Sequence, residues 1–318
     1  MSLLESKTEY RARKAQRANK AKANPRPAWM GKPSPLFLIF RAVVLVIACS
    51  AVLVPFVAVF MTSLAGQDEI TASGGFVLWT SSPSFEAYQA VLAGGVVTRA
   101  MFVSIGVTVI GTLLSLLTTI ALAYGLSRPG SLAHKPLLLV TLFTLLFSPG
   151  IIPMYLIVQQ LGLIDNLAAL VLPVLINAFN VIIMRAFFLD IPAELIESAR
   201  IDGAGDFRIL VSIVLPMSKA AIAVVGLFYA VSYWNAFFSA LLYLNSPDLW
   251  PMQLVLRTFV VNQTPMGTED LSAGAGALPP QLSIQMAILV LSMIPILVLY
   301  PFIQKHFAKG LMVGAVKG

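Results

Sequence analysis

Polar and apolar residues separate sharply along the chain. Six stretches are almost wholly apolar, at about 36–63, 99–126, 136–160, 167–187, 219–243 and 282–304. Each reaches the roughly 20 residues that a helix needs to cross the hydrocarbon core of a bilayer. Backbone groups find no partner in lipid, so runs of this length predict helices. A membrane β-barrel alternates apolar and polar positions in segments of about ten residues, and the chain has no such segments. The pattern predicts an all-α integral membrane protein with six transmembrane helices.

The connecting segments set the expected orientation. Of 21 Lys and Arg, all but Arg99 and Arg257 fall in the N-terminal tail and first span edge, the 127–135 and 188–218 loops with their edges, or the C-terminal tail. Loops 64–98, 161–166 and 244–281 are nearly free of them. Basic residues are retained on the cytoplasmic side, so both termini are expected in the cytoplasm. Residues 1–35 carry nine basic residues against Glu5 and Glu9, which accounts for the whole net charge of +7. This part is expected to be a disordered, lipid-facing cytoplasmic tail ahead of an uncleaved first span. Residues 36–304 form the expected membrane domain, and 305–318 a second cytoplasmic tail.

Packing signals appear inside the spans. Gly111, Ser115 and Thr119 recur every fourth residue, which lets helix backbones approach closely. Pro55, Pro149, Pro153, Pro173, Pro295 and Pro301 lie in or near spans and predict bends. The 244–281 loop, with SAGAGALPP near its end, is expected to be irregular.

Composition narrows the chemistry. The chain is 58% hydrophobic and 11% charged. No Asp, Glu or Lys lies deep in a span, so the relays of ion-coupled transport are missing. No phosphate-cradling GxxxxGK[ST], no HExxH and no GxSxG occurs, and no Cys/His cluster has metal spacing. Cys49 is the only cysteine and lies in an apolar run. His134 and His306 fall at cytoplasmic edges. No catalytic residue and no metal site is expected. Uphill movement of a solute would draw its energy from another subunit.

Residues 190–216 are the exception to the apolar pattern, with ELIESARIDGAGDFRILVSIVLP over 194–216. Pro192 suits a first helical turn, and Glu194 and Glu197 suit the positive end of a short helix. Leu195, Ile196 and Ala199 give it an apolar edge. Gly203 permits a tight turn. Asp206 can open a second helix, on which Phe207, Leu210, Val211 and Val214 share a face, with Pro216 closing it. The expected shape is a helical knob on the cytoplasmic side; an amphipathic loop lying on the membrane is the other reading of the same pattern.

The segment resembles the EAA loop of ABC-importer permeases. Glu197, Ser198 and Ala199 stand for EAA, with Ser198 in place of the middle Ala. Asp202, Gly203 and Ala204 give the DGA form of carbohydrate-uptake permeases, and Ile213, Leu215 and Pro216 give I-x-LP. GLIDNLAALVLP (162–173), YWNAFFSALLYLNSPDLWPMQ (233–253) and the C-terminal GLMVGAVKG (310–318) are similar to other parts of the MalG-like family. LINAFNVIIMRAFF (175–188) leans to its branch importing oligosaccharides of complex polysaccharides.

The resemblance implies a type I importer permease fold in a bacterial cell membrane. It also implies a second permease subunit, two cytoplasmic ATPases that bind the ATP and Mg, and an extracytoplasmic solute-binding protein. This chain would bind no cofactor and no nucleic acid. Glu197, Ser198, Ala199, Asp202, Gly203, Ala204, Phe207, Leu215 and Pro216 would form the ATPase-coupling knob. The 244–281 loop would face the binding protein, and Gly314 and Lys317 would reach between the ATPases. For a sugar pathway, Asn177, Asn180, Tyr229, Tyr233, Trp234 and Asn235 have suitable chemistry, which is also the chemistry of helix packing. The alternatives are a secondary transporter or channel, a membrane scaffold that recruits a cytoplasmic partner, or an ABC permease for a solute other than sugar.

Overall fold

The computed structural model describes residues 34–128, 130–131, 133–271 and 278–315, with side chains to Pro301 except those of 268 and 269. The basic residues 1–33, the SAGAGA stretch at 272–277 and Lys317 lie outside the described residues. No strand occurs among the described residues.

Helix α1 (Pro35–Ser63) is apolar, and its side chains from Leu36 to Val57 are exposed, as expected for a helix solvated by lipid. Contacts divide the chain after Pro55. From Phe56 onward the chain forms a packed body. Two short helices, α2 (Gln67–Ala72) and α3 (Glu86–Leu92), follow α1. Then comes α4 (Gly95–Ser127), whose buried residues include Ser104, Gly111, Ser115, Thr119 and Ala123.

Among the described residues, three helices are long and apolar enough to cross a membrane: α1, α4 and the 281–301 part of α15 (Gln281–Ala315). The other three apolar runs are broken. The run expected as one helix over 136–160 splits into α5 (His134–Leu146) and α6 (Ile151–Gln160), with a bend of 119° between them. Pro149 and Gly150 occupy the break, and Gly150 has φ +83. A proline lacks the N–H that continues a helix, and only glycine takes that φ without strain. The 167–187 run becomes α7 (Ala168–Val171), a 3-10 turn to Val174 containing Pro173, and α8 (Ala178–Leu189), bent by 53°. Asn177 caps α8, its Oδ1 accepting from Asn180 N at 3.2 Å.

The 219–243 run is the third departure. After α9 (Ala193–Ile201) and α10 (Asp206–Met217), α11 covers only Lys219–Trp234, and α12 (Phe238–Tyr243) is separate. At 16 residues α11 is too short to cross alone. Its partner is the preceding α10, set at 84° across Ser218.

Two large clusters hold the body together, beside a small third one of Ala65, Ile70 and Val77. The larger packs α4, α8, α10 and α11 through Val107, Ala123, Val181, Met184, Ile209, Val214 and Val225. The smaller of the two corrects the expected irregular loop. Met252–Val261 is helical (α13), and α14 (Thr268–Leu271) follows. Met252, Val255, Phe259 and Leu271 are buried against Val97 and Ala100 of α4 and Ile284 and Ile288 of α15. Met252 N donates to Ser104 Oγ at 2.7 Å, and Arg99 pairs with Asp248. The Gly- and Pro-rich end of the loop hid an apolar helix earlier in it.

The start of the same loop is clasped. Asp165 has φ +59, and its carboxylate accepts from Asn245 N at 2.9 Å, Ser246 N at 2.8 Å and Ser246 Oγ at 2.5 Å. These bonds hold its pKa below the ordinary carboxylate value, the Ser246 hydroxyl first among them. At the other end, α15 stays helical through Gly310 and Gly314 to Ala315, where a tail was expected from 305 onward.

Candidate functional site: a helical knob and a polar cavity

The knob forms as its local sequence dictates. Pro192 sits at the N-cap of α9 with φ −53, and Glu194 lies in the first turn. Asp202 ends the helix, and Gly203 takes φ +81. Gly203 N then donates to Arg200 O at 3.0 Å and Ala204 N to Ala199 O at 2.9 Å. This pair of bonds is the Schellman closure, which satisfies the last carbonyls of a helix. Arg200 Nη2 reaches Asp206 Oδ1 at 3.1 Å and braces the turn.

The second helix differs from the expected amphipathic face. Phe207 is 80% exposed and Val211 is exposed, whereas Ile209 and Val214 are fully buried. Residues 210–214 form a π-turn, which places positions five apart on one side. Ile209 and Val214 have that spacing, and an ordinary 3.6-residue period misassigns the face. On α9, Ile196 is buried, Ala199 packs against the core and Leu195 is exposed.

Of the expected coupling residues, Glu197, Ser198, Asp202, Gly203 and Phe207 are exposed around the turn, and Ala204 is partly covered. Leu215 and Pro216 stand apart in the last turn of α10. Ile201, 85% exposed, joins Phe207 on this surface. These two bare large apolar side chains beside the Gly203 turn, with Leu195 and Val211 less exposed on the same protrusion, mark a surface made for contact. A cavity of about 620 Å³ lies behind it, lined by Tyr124, Arg128, Ile196, Glu197, Arg200 and Asp206 among others. The Tyr124 hydroxyl donates to the Asp206 carbonyl at 3.1 Å, and the Arg128 guanidinium stacks 4.7 Å from the Tyr124 ring centre.

Four of the six expected pathway residues come together. Asn177, Asn180, Tyr229 and Tyr233 line a cavity of about 330 Å³ with Phe179, Phe228 and Ser232. Tyr229 OH pairs with Thr119 Oγ1 at 2.7 Å and accepts from Asn177 N at 3.0 Å. Tyr233 OH pairs with Ser115 Oγ at 2.8 Å. The small-residue stripe of α4 therefore does more than allow close approach, since two of its members hold the phenols of α11. Trp234 and Asn235 are not in this cavity. Trp234 is buried, and its Nε1 donates to Ser292 O on α15 at 3.1 Å. Asn235 turns its Nδ2 back to Val231 O at 2.8 Å. Phe179, Phe228 and Ser232 were overlooked, although each neighbours or follows by one turn a residue already selected. Tyr124 gave no sequence signal. Gly314 lies on the helical backbone of α15.

Knob, cavity and broken helices define a membrane permease of the type I ABC importer architecture. The family model for "Binding-protein-dependent transport system inner membrane component" matches residues 30–313, and the chain belongs to that family. It is 46% identical over 264 residues to the polygalacturonan/rhamnogalacturonan transport system permease protein YtcP of Bacillus subtilis (strain 168), covering 83% of this chain and 92% of that one. It is 42% identical over 271 residues to protein LplC of the same organism, covering 84% and 90%. Among solved structures, it is similar to a chain of a bacterial ABC transporter involved in the import of the acidic polysaccharide alginate. There the TM-score is 0.80 and the identity 32%, over 87% of this chain and 100% of that chain.

Proposed function

We propose that this chain forms half of the translocation pathway of an ATP-driven importer of oligosaccharides released from polysaccharides, in the bacterial cytoplasmic membrane. A second permease completes the pathway, and a solute-binding protein delivers substrate from outside. Two cytoplasmic ATPases hold ATP and Mg and supply the work, so this chain itself is non-catalytic. The observation that carries the reading is the exposed knob, with Ile201 and Phe207 bare on either side of the Gly203 turn. Glu197, Ser198, Ala199, Asp202, Gly203 and Ala204 form its docking surface, and Leu215 and Pro216 fix its return to the membrane.

ATP-driven closure of the ATPases moves the knob, and α10 carries that motion to α11 across the bend at Ser218. The cavity supports a sugar as cargo. Amides and hydroxyls meet sugar hydroxyls, and the Phe179 and Phe228 rings, 6.4 Å apart, offer flat apolar faces. The relative named for polygalacturonan and rhamnogalacturonan transport and the structural neighbour from an alginate importer support oligosaccharides of such polymers as the cargo. Reconstitution with the partner subunits and binding protein tests this, with ATP hydrolysis and uptake scored against a panel of oligosaccharides. Stimulation by pectic oligosaccharides is expected. Uptake that survives ATP depletion and follows an ion gradient would overturn it.

A further inference from the structure

Outside the knob and the cavity, an exposed apolar patch of the packed body lies in the segment between α1 and α3. Phe76, Leu78, Trp79 and Phe85 are 60%, 57%, 80% and 61% exposed, while Val77 and Thr80 between them are buried. The segment is held in place. Thr62 Oγ1, in the last turn of α1, accepts from Val77 N at 2.8 Å. Ser63 Oγ pairs with Tyr88 OH at 2.7 Å, and Tyr88 lies 6.2 Å from Phe85 ring to ring. Farther along, the Glu69 carboxylate accepts from Thr80 Oγ1 at 2.5 Å, from Ser81 N at 3.0 Å and from the Ser81 hydroxyl. Val77 itself packs with Ala65 and Ile70. This fixed arrangement turns four large apolar side chains outward.

The depth of the patch follows from α1. A helix of 29 residues is about 43 Å long at ~1.5 Å per residue and exceeds the ~30 Å hydrocarbon core. Exposed apolar side chains on α1 continue to Phe60, and the buried hydroxyl residues Thr62 and Ser63 end it. The last turn of α1 therefore stands at the level of the headgroups. Val77 is hydrogen-bonded to that turn, and Trp79, two residues on, lies at most about 7 Å farther along the chain. Trp79 and Tyr88 match the interfacial position that amphipathic rings prefer, and Phe76 and Phe85 add apolar area beside them. No Lys or Arg occurs over 64–98, so the attraction is that of rings for the interface and not of cations for phosphate.

We propose that residues 76–85 rest in the lipid headgroup layer at the C-terminal end of α1, with Trp79 as an interfacial anchor. Phe56, Val57 and Phe60, exposed in the last turns of α1, carry apolar side chains up to Thr62, the residue that holds Val77, and this selects lipid as the occupant of the patch. The segment is thereby withdrawn from any surface that receives a soluble partner. The inference needs only that α1 spans a bilayer, so it stands or falls apart from the nature of the cargo.

The test is a nitroxide on Leu78→Cys in a Cys49→Ser background, in the full, otherwise cysteine-free importer in nanodiscs. Collisions with oxygen report lipid, and collisions with a water-soluble nickel chelate report water. Retained oxygen collisions with loss of nickel collisions are expected, unchanged when the binding protein is added. Adding Trp79→Ser should restore the nickel collisions. Dominant nickel collisions with Trp79 in place would overturn the proposal. So would loss of both kinds in the assembled complex, which means a partner permease covers the patch, or their loss only with the binding protein, which means that protein docks there.

Discussion

The hydroxyl of Tyr124 and the backbone carbonyl of Asp206, 82 residues apart in sequence, are joined at 3.1 Å. The bond ties the end of α4 to the first residue of α10. Nine residues back on α4, Ser115 holds Tyr233, and five back, Thr119 holds Tyr229. One helix thus touches the knob at one end and the polar cavity along its length. In the proposed importer, α4 is a strut through which knob and cavity sense each other, and a bent α10–α11 pair is the moving part beside it.

Tyr124→Phe removes this bond and keeps the ring under Arg128. A single hydrogen bond contributes about 1 kcal/mol, so the protein should fold and assemble. The expected change is in coupling, with less oligosaccharide moved per ATP hydrolysed in reconstituted vesicles. An unchanged ratio of uptake to hydrolysis would remove α4 from the transmission path.

Gly203 separates two effects that are easily confused. A Cβ there meets nothing within 4 Å, so steric crowding is absent. The backbone, at φ +81, is the constraint, and most residues pay about 1–2 kcal/mol in that region. Asp and Asn tolerate it best. Gly203→Asn should therefore keep the Schellman turn and retain uptake in part. Gly203→Asp should keep the turn as well, leave the protein inserted and abolish uptake, because a carboxylate now stands on the docking surface between Ile201 and Phe207. Uptake assays paired with copurification of the ATPase distinguish the two, and normal transport by Gly203→Asp would count heavily against docking through this turn.

The seam between α4 and α11 gives a stability test. A Cβ on Gly111 would lie 2.8 Å from Tyr233 Cζ, against a ring that is itself fixed by Ser115. A Cβ on Gly226 would lie 3.0 Å from Leu116 Cδ1, the tip of a flexible side chain. Overpacking a fixed neighbour costs about 1–3 kcal/mol. Gly111→Ala should lower the thermal midpoint of the detergent-solubilised protein measurably, and Gly226→Ala much less. Equal effects would mean that Tyr233 can move aside.

Much of this was legible from residue pattern. The apolar runs are helical, the stripe Gly111, Ser115 and Thr119 lies in a helix contact, and Gly203 makes the turn assigned to it. Hydropathy averages over the backbone, however, and is blind to direction. It joined α5 to α6 across Pro149 and Gly150, although those two residues carried the signal of a break. It gave α11 to α12, when the structure pairs it with α10. The face of α10 was misread because a π-turn changes the period locally, and nothing in LVSIV announces one. The α13 helix was obscured by the neighbouring glycines. Trp234 and Asn235 resemble the cavity residues in chemistry but turn their side chains elsewhere, and residue type alone does not reveal direction. Tyr124 could not be found at all, since its role depends on a contact across 82 positions.

Glu69 supplies a prediction in pH. Its carboxyl is lowered from 4.5 to about 2, first by the Ser81 hydroxyl, then by Thr80 and the Ser81 amide. A carboxyl lowered on folding stabilises the fold fully above its unfolded value and loses that contribution as pH falls through the folded one. The clasp on Thr80 and Ser81 should therefore hold from neutral pH through 4.5 and release only as pH approaches about 2. Pepsin is active across this window and cuts beside Phe, Leu and Trp, all present at 76–79. In detergent, where lipid no longer shields it, the wild-type segment should resist cleavage until the lower end of the window. Glu69→Gln keeps one acceptor but loses the charge that strengthens all these bonds, and should be cut throughout. Wild-type cleavage already complete near pH 4.5 would show that the segment is held by Thr62 and Val77 alone, with Glu69 a bystander.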